Sequence, residues 1–503
     1  MERVFKVGNN SLAVPMDLHK QNRAKLCKRL LDLWSTGDAP SRSLDGVYVL
    51  LQGGPSVSHG GSDCEIVFRQ ESYFHWTFGG LEPDWFGAIE VATQRTILFV
   101  PHIPESAAVY MGQPPHLDEI SHIYGVDEAH YTHERGINTD SGQFTLEASF
   151  EGINRFTINN TILHHEMAEC RLTKSPLELE VIRYAVKISS AAHRHLMRKI
   201  KPGMFQFQAE SIFRHYCYYY GGMRHVAYTC IAATGCDCAV LHYGHAGAPN
   251  DHLIQDGDMC LLDMGGEYYC YCSDITCSFP VNGKFTADQR LIYNAVLSAV
   301  TLVNILLDYK DHSILICSLI PLTPLRAVTS CLGPGVSWLE MHKLAEKTIL
   351  ERMLAGGLLQ GDVDEMMLAR LGATFMPHGL GHLMGCDVHD VGGYTKGAPP
   401  RSAEPGLRNL RTARNLMPNM VLTVEPGCYF IKRLIDQAKA SPHLKKFLVT
   451  EALERFADFG GVRIEEDVLI TDSGCEVLSD VPRTVDEIED WMSRESTEYD
   501  SVL

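Results

Sequence analysis

Residues Met259–Pro280 read MCLLDMGGEYYCYCSDITCSFP. Two runs rich in β-forming residues flank Gly265-Gly266, which predicts adjacent antiparallel strands with the glycines in the turn region. Asp263 and Asp274 each fall inside an apolar strand. A carboxylate in that position is costly unless it is paired or holds a cation. A single such aspartate is most often a cap or a buried acceptor, whereas two on neighbouring strands strengthen the case for a cation site.

Three later segments carry the same signal. Pro377–Gly393, PHGLGHLMGCDVHDVGG, sets His378, His382 and His389 among glycines and beside Asp387 and Asp390. Glycine lets a backbone approach a ligand closely, and imidazoles suit Zn, Mn, Fe or Co. In Met420–Phe430, MVLTVEPGCYF, Glu425 ends an apolar strand before a Pro-Gly turn. In Gly460–Thr471, GGVRIEEDVLIT, strand alternation puts Arg463, Glu465 and Asp467 on one face. Val462, Ile464 and Val468 fall on the other, with Glu466 on that apolar side. Four carboxylates and one imidazole suit two divalent cations, because a bridging ligand needs two acceptor oxygens. Two ions about 3.5–4 Å apart can share and activate one water.

The organisation along the chain changes near Ser175. The first part reads as strands and loops, with strand-like runs at Val47–Gln52 and Arg95–Val100 and one amphipathic stretch near Leu18–Trp34. Ser175-Pro-Leu-Glu178 is a capping box that opens a helix ending before Pro202-Gly203, and a second helix runs to Gly221-Gly222. Thr286-Ala-Asp-Gln289 repeats the box, and Pro334-Gly335 leads to a helix ending at Gly356-Gly357. This weak repeat predicts two halves with a site between them. The domains are therefore read as 1–170, 171–492 and an acidic tail, 493–503. Thr301–Leu325 is too apolar for a loop and too broken for one amphipathic helix, and neither apolar piece reaches the roughly 18 residues of a membrane span.

The chain has 503 residues, 45% hydrophobic and 21% charged, and a net charge of −18. That balance argues against nucleic acid or an anionic membrane as the main partner. The 16 cysteines never form a C-x-x-C pair, and Met1–Lys20 has no apolar signal-peptide core. Both features predict free thiols and a cytoplasmic location.

Asp263, Asp274, His382, Glu425 and Glu465, in this order and context, resemble the ligand set of the dinuclear metallopeptidases of the pita-bread fold. FRQESYFHW (Phe68–Trp76), GGMRH (Gly221–His225), LHYGHAGAPND (Leu241–Asp251) and FGGVRIEEDV (Phe459–Val468) look like the branch that cleaves Xaa-Pro dipeptides. The resemblance implies an α+β chain: an N-terminal creatinase/aminopeptidase P-like α/β domain followed by a C-terminal pita-bread catalytic domain. It implies two divalent ions, Mn(II) in the family. Asp274 and Glu465 would bridge them, Asp263 would complete one site, and His382 and Glu425 the other. His382 is chosen over His378 because the family's ligand lies seven residues before the histidine of the D-V-H-D stretch. Glu425 would be the general base. His389 resembles the histidine that contacts the scissile carbonyl, and His242 the one that lines the substrate site. Arg411 resembles the arginine that takes the dipeptide carboxylate, and Tyr228 would face the metal pocket. The implied substrate is a dipeptide with C-terminal proline or hydroxyproline, in proline metabolism and collagen degradation, and the implied assembly is a homodimer. Two other readings remain: an aminopeptidase P taking longer peptides, and a pita-bread protein that binds a partner without catalysis. The chain also departs from the family twice. Only Thr132, His133 and Glu134 stand where the family has an extra helix and strand, and Thr301–Leu325 looks like an insertion in a catalytic-domain helix.

Overall fold

A computed structural model describes residues 4–36, 46–102, 108–111, 116–124, 126–130, 153–306 and 334–494. Residues 131–152, which contain the shortened stretch, and the tail beyond Arg494 lie outside the described residues. The chain forms two compact units, Met1–Val181 and Ile182–Leu503. The expected boundary near residue 170 falls within the helix Leu163–Leu172.

In the first unit, helix Asp17–Thr36 buries Leu18, Asn22, Leu26 and Leu30 along one stripe, the helical spacing of a core-facing surface. Asn22 and Arg23 on that stripe donate to the carbonyls of Trp76 and Thr77 at 2.9 and 3.0 Å, near the end of helix Ser72–Phe78. The Trp76 indole N–H in turn donates to Glu178 at 2.9 Å. The sheet places Phe86–Glu90 between Tyr48–Gln52 and Thr96–Phe99, both antiparallel to it, with Glu128–His130 added parallel at the edge.

Both capping boxes form. The Ser175 N–H donates to Glu178 at 2.7 Å at the start of helix Pro176–Lys199, and the Thr286 N–H donates to Gln289 at 2.9 Å at the start of helix Ala287–Leu306. Helix Gln206–Gly221 and helix Trp338–Ala355 follow the two Pro-Gly turns. Thr301–Leu306 continues the helix Ala287–Leu306, and the rest of the odd segment, 307–325, lies outside the described residues. In the first half, Met259–Asp263 is the middle strand between Ile231–Thr234 and Thr276–Pro280. In the second, Glu466–Ile470 lies between Val421–Val424 and Cys475–Val477.

The Gly265-Gly266 pair does not make the turn. The hairpin continues beyond it as Gly266–Tyr268 paired with Tyr271–Cys272, and reverses at Tyr269 and Cys270. Those two residues hold φ of 49° and 56°, a conformation the usual turn residues would have announced in the sequence. The glycines serve a close approach instead: a Cβ on Gly265 would sit 1.7 Å from the Ser273 carbonyl oxygen, and one on Gly266 2.5 Å from the Met223 sulfur.

The stretch 461–470 is likewise two strands and not one. Gly461–Arg463 pairs with Gly427–Tyr429, and Glu466–Ile470 pairs with Val421–Val424. Pro426 has no N–H for a ladder, and the Glu465 N–H turns away to the Thr276 carbonyl at 3.3 Å. Both ladders thus break at matched positions, next to Glu425 and Glu465. Neither face is solvated, since Arg463, Glu466 and Asp467 are all buried. Glu466 pairs with Arg483 at 2.7 Å, and that guanidinium also donates to the Thr276 carbonyl at 2.8 Å.

Gly265→Ala should lower the unfolding free energy by about 3 kcal/mol, the upper end for forced overpacking. Gly61→Ala, where a Cβ meets nothing within 4 Å, should stay within about 0.5 kcal/mol of the parent. Denaturant midpoints of the two variants check both expectations.

Candidate metal centre

Asp263 ends its strand directly opposite Thr276. Its Oδ1 accepts from the Tyr228 hydroxyl at 2.5 Å, and its Oδ2 accepts from Arg463. Asp274 follows in the short connection before strand Thr276–Pro280. Its N–H donates to Asp467 at 3.1 Å, and its Oδ1 also lies 2.5 Å from the Tyr228 hydroxyl. Glu465 sits at the strand break, with the Thr276 hydroxyl donating to it at 2.6 Å. Glu425 sits at the facing break, 3.7 Å from His382 Nε2.

The His382 Nδ1 contacts its neighbour's carbonyl, Leu383 O, at 3.0 Å, so that nitrogen carries the proton. Nε2 is then the free lone pair, 3.3 Å from Asp274. Asp274, His382 and Glu465 each offer a ligand atom within 4.8 Å of the other two. Three of the five residues expected as metal ligands form this group, while Glu425 lies 3.7 Å from His382 and Asp263 shares the Tyr228 hydroxyl with Asp274.

The electrostatics fit a cation. Burial, reinforced by neighbouring carboxylates, pushes Asp274 and Glu465 well above the usual carboxylate range. Burial also raises Glu425 to about 7, against the opposing pull of His382 and Arg463. Burial lowers His382, so its imidazole stays neutral and available. The Tyr228 hydroxyl has one proton but faces two carboxylates. The second contact requires either a protonated carboxyl or a cation between the acids. Oxygen-rich donors with one imidazole match the chemistry of hard or borderline divalent ions.

The remaining expected residues surround this cluster. His389 meets His382 edge-on, with ring centroids 4.4 Å apart. Although part of its ring faces solvent, partial desolvation and the neighbouring His382 and Arg411 lower its pKa. Desolvation likewise lowers His242 and Arg411, with Arg463 the next influence on His242 and Glu425 opposing the shift at Arg411. His378, which the sequence reading sets aside in favour of His382, lies beside the cluster. Its Nδ1 contacts Gly379 O at 2.7 Å, its Nε2 contacts the Tyr429 hydroxyl at 3.0 Å, and Glu425 lies 4.0 Å away. His378 Nδ1 faces a carbonyl and carries the proton, so Nε2 accepts from the Tyr429 hydroxyl, which itself accepts from Arg463 at 2.8 Å. Burial lowers His378 to about 3. The i, i+4 spacing of His378 and His382 was a visible signal. The role of Tyr429 was not visible, because it depends on the pairing of Gly427–Tyr429 with Gly461–Arg463.

The comparisons with known proteins agree with this geometry. The model of metallopeptidase family M24 matches residues 180–308 and 320–472, and the aminopeptidase P N-terminal domain matches 19–139. The chain belongs to metallopeptidase family M24, with an aminopeptidase P-type N-terminal domain and a pita-bread catalytic domain. It is 51% identical to the Xaa-Pro dipeptidases of Mus musculus and Homo sapiens, over 97% of this chain and 96% of theirs. Among solved structures it is similar to Pseudomonas aeruginosa aminopeptidase PepP, with TM-score 0.72, 28% identity, and coverage of 96% of this chain and 99% of that one. A zinc-substituted Escherichia coli aminopeptidase P in complex with product gives TM-score 0.70 at 27% identity, over 96% of this chain and 100% of that one. No described helix is long and apolar enough to cross a membrane.

A raised carboxyl pKa in the folded state means the folded chain binds protons the unfolded chain has released. For Glu425 that window runs from its ordinary 4.5 to about 7. The metal-stripped protein should therefore lose stability as pH rises from 5 to 8, and added divalent metal should reverse the loss. Melting temperatures of the chelated and reloaded protein across that range check the sign.

Proposed function

We propose that the chain is a dinuclear-metal dipeptidase that releases C-terminal proline from Xaa-Pro and Xaa-hydroxyproline dipeptides. The observation that carries the reading is the buried group of Asp274, His382 and Glu465, with Asp263 and Glu425 beside it, a donor set that suits divalent cations. The names of the mammalian relatives support the substrate class. Asp274 and Glu465 would bridge two ions, Asp263 would hold one, and His382 and Glu425 the other. Manganese suits the oxygen-rich set. Bound divalent ions supply a water-derived nucleophile near neutral pH and polarise the substrate carbonyl.

The chain's own groups do the rest. Glu425 takes the proton of the attacking water and delivers it to the departing proline nitrogen. Neutral His389 donates a hydrogen bond to the carbonyl oxygen as charge develops there. The imide bond has no N–H to grip, so recognition falls on the ring and on the free carboxylate. Arg411 clamps that carboxylate, which limits the substrate to a dipeptide, while His242 lines the cleft. Tyr228 holds Asp263 and Asp274 in register. A homodimer is part of this reading, tested by sedimentation of the purified chain. A reducing, cytoplasmic setting fits the free thiols of all described cysteines.

The structural neighbours, being aminopeptidases P, favour a second reading in which longer peptides are cut. Release of proline from Gly-Pro with little action on Gly-Pro-Ala supports the dipeptidase, and the opposite preference overturns it. Absence of both bound metal and proline release would favour a non-catalytic binding protein. Assays of the metal-stripped enzyme reloaded with Mn, Zn, Co or Fe identify the metal.

Glu425→Gln should lower kcat by about 10²–10⁴, the usual worth of a positioned general base. Arg411→Met should act mainly through a raised KM for Gly-Pro. Steady-state kinetics separate the two effects.

A further inference from the structure

Helix Trp338–Ala355 carries Trp338, His342 and Glu346 at intervals of four, so they form one stripe, and all three are buried. None belongs to the metal cluster. The stripe faces the backbone just ahead of His382. The Leu380 N–H donates to His342 Nδ1 at 3.1 Å, and the Trp338 indole N–H donates to the Gly381 carbonyl at 3.3 Å. On the opposite side, the Leu380 carbonyl accepts from the Glu425 N–H at 2.8 Å, and the His382 carbonyl accepts from the Thr423 N–H at 2.9 Å. The three residues 380–382 are thus held between a strand and a helix.

At the far end of the stripe, Glu346 is held by an ion pair. A nitrogen that accepts from a backbone N–H carries no proton, so neutral His342 is protonated at Nε2. That nitrogen faces Glu346 Oε1 at 3.5 Å. The Glu346 charge is matched by Arg370, with separations of 2.7 and 2.9 Å to its two oxygens. Arg370 itself holds a left-handed φ of 57°, unusual for a non-glycine residue, and its guanidinium also donates to the Pro405 carbonyl at 3.0 Å. Gly372 leaves the carboxylate its space, since a Cβ there would lie 3.0 Å from Glu346 Cδ. Burying this pair carries a desolvation cost that an apolar set of similar volume would avoid.

We propose that the Trp338–His342–Glu346 stripe, anchored by Arg370, is a positioning device for His382, fixing the Leu380–Gly381 backbone so that the His382 Nε2 atom points at the ions. The inference rests on the metal role of His382 proposed above. His342 and Trp338 act as positioning residues, through hydrogen bonds to backbone and without touching metal or substrate.

The test is manganese affinity of the metal-stripped full chain, measured by calorimetry, with the melting temperature recorded alongside. His342→Leu leaves the Leu380 N–H without its acceptor and should weaken binding by about 10–100-fold, the range seen when support of a metal ligand is lost. His342→Asn offers an oxygen to the same N–H and should bind close to the parent. Trp338→Phe removes only the indole N–H and should weaken binding to a smaller degree. Parent-like affinity in His342→Leu and Trp338→Phe overturns the proposal, as does weakening in His342→Asn equal to that in His342→Leu. If His342→Leu does not fold, Trp338→Phe decides: weaker binding supports the proposal and unchanged binding overturns it. If the parent chain binds no manganese, the metal reading fails first and takes this one with it.

Discussion

Concentrated negative charge in a dry place is the constraint on which the catalytic unit depends. Asp263, Asp274, Glu465 and Asp467 are buried together, and Glu425 is nearly so. Arg463 is bonded directly to the cluster, and it is committed to Asp263, Thr276 and Tyr429. Left alone, such a group must keep protons that it would lose in water. Its surroundings limit this cost with donors: Tyr228, Thr276 and the Asp274 N–H each give a hydrogen bond to a carboxylate. What remains after those bonds is a demand for positive charge, and that demand makes the site a metal centre.

The fold meets the demand by interrupting its own regularity. Glu425 and Glu465 reach the cluster because two ladders stop at the same level, where side chains no longer obey a simple two-faced alternation. Asp274 lies in a connection and not in a strand. Regular strands would have sent every second carboxylate into the apolar layer behind the site. The helices then hold the irregular parts still, most visibly where helix Trp338–Ala355 meets the glycine-rich run before His382.

Much of this was legible because it is local. The capping boxes at Ser175 and Thr286 announce two helices with the residues that close them. Two aspartates in neighbouring apolar runs point to a cation site before the topology is known. The Gly265-Gly266 pair misled because a close backbone approach and a turn both select glycine, and only the partner, here Ser273, tells them apart. The break at Glu465 was hidden because it depends on Pro426, far away in the sequence. The Trp338–His342–Glu346 stripe reads as an ordinary helix face until Leu380 and Gly381 are placed against it. Thr301–Leu325 stands out from its composition alone, yet only its first six residues are described, as helix.

The bond between Arg463 and Asp263 joins positions 200 residues apart. Closing so long a loop is entropically expensive and comes late in folding. A metal ion therefore cannot nucleate this unit in the way a zinc ion nucleates a short finger. While the chain is being made, no emerging fragment holds all five residues of the cluster until the stretch around Glu465 has left the ribosome. A truncated or misassembled chain would display its acids to solvent as separate weak sites, and only the finished one brings them together, so metal affinity would report completeness.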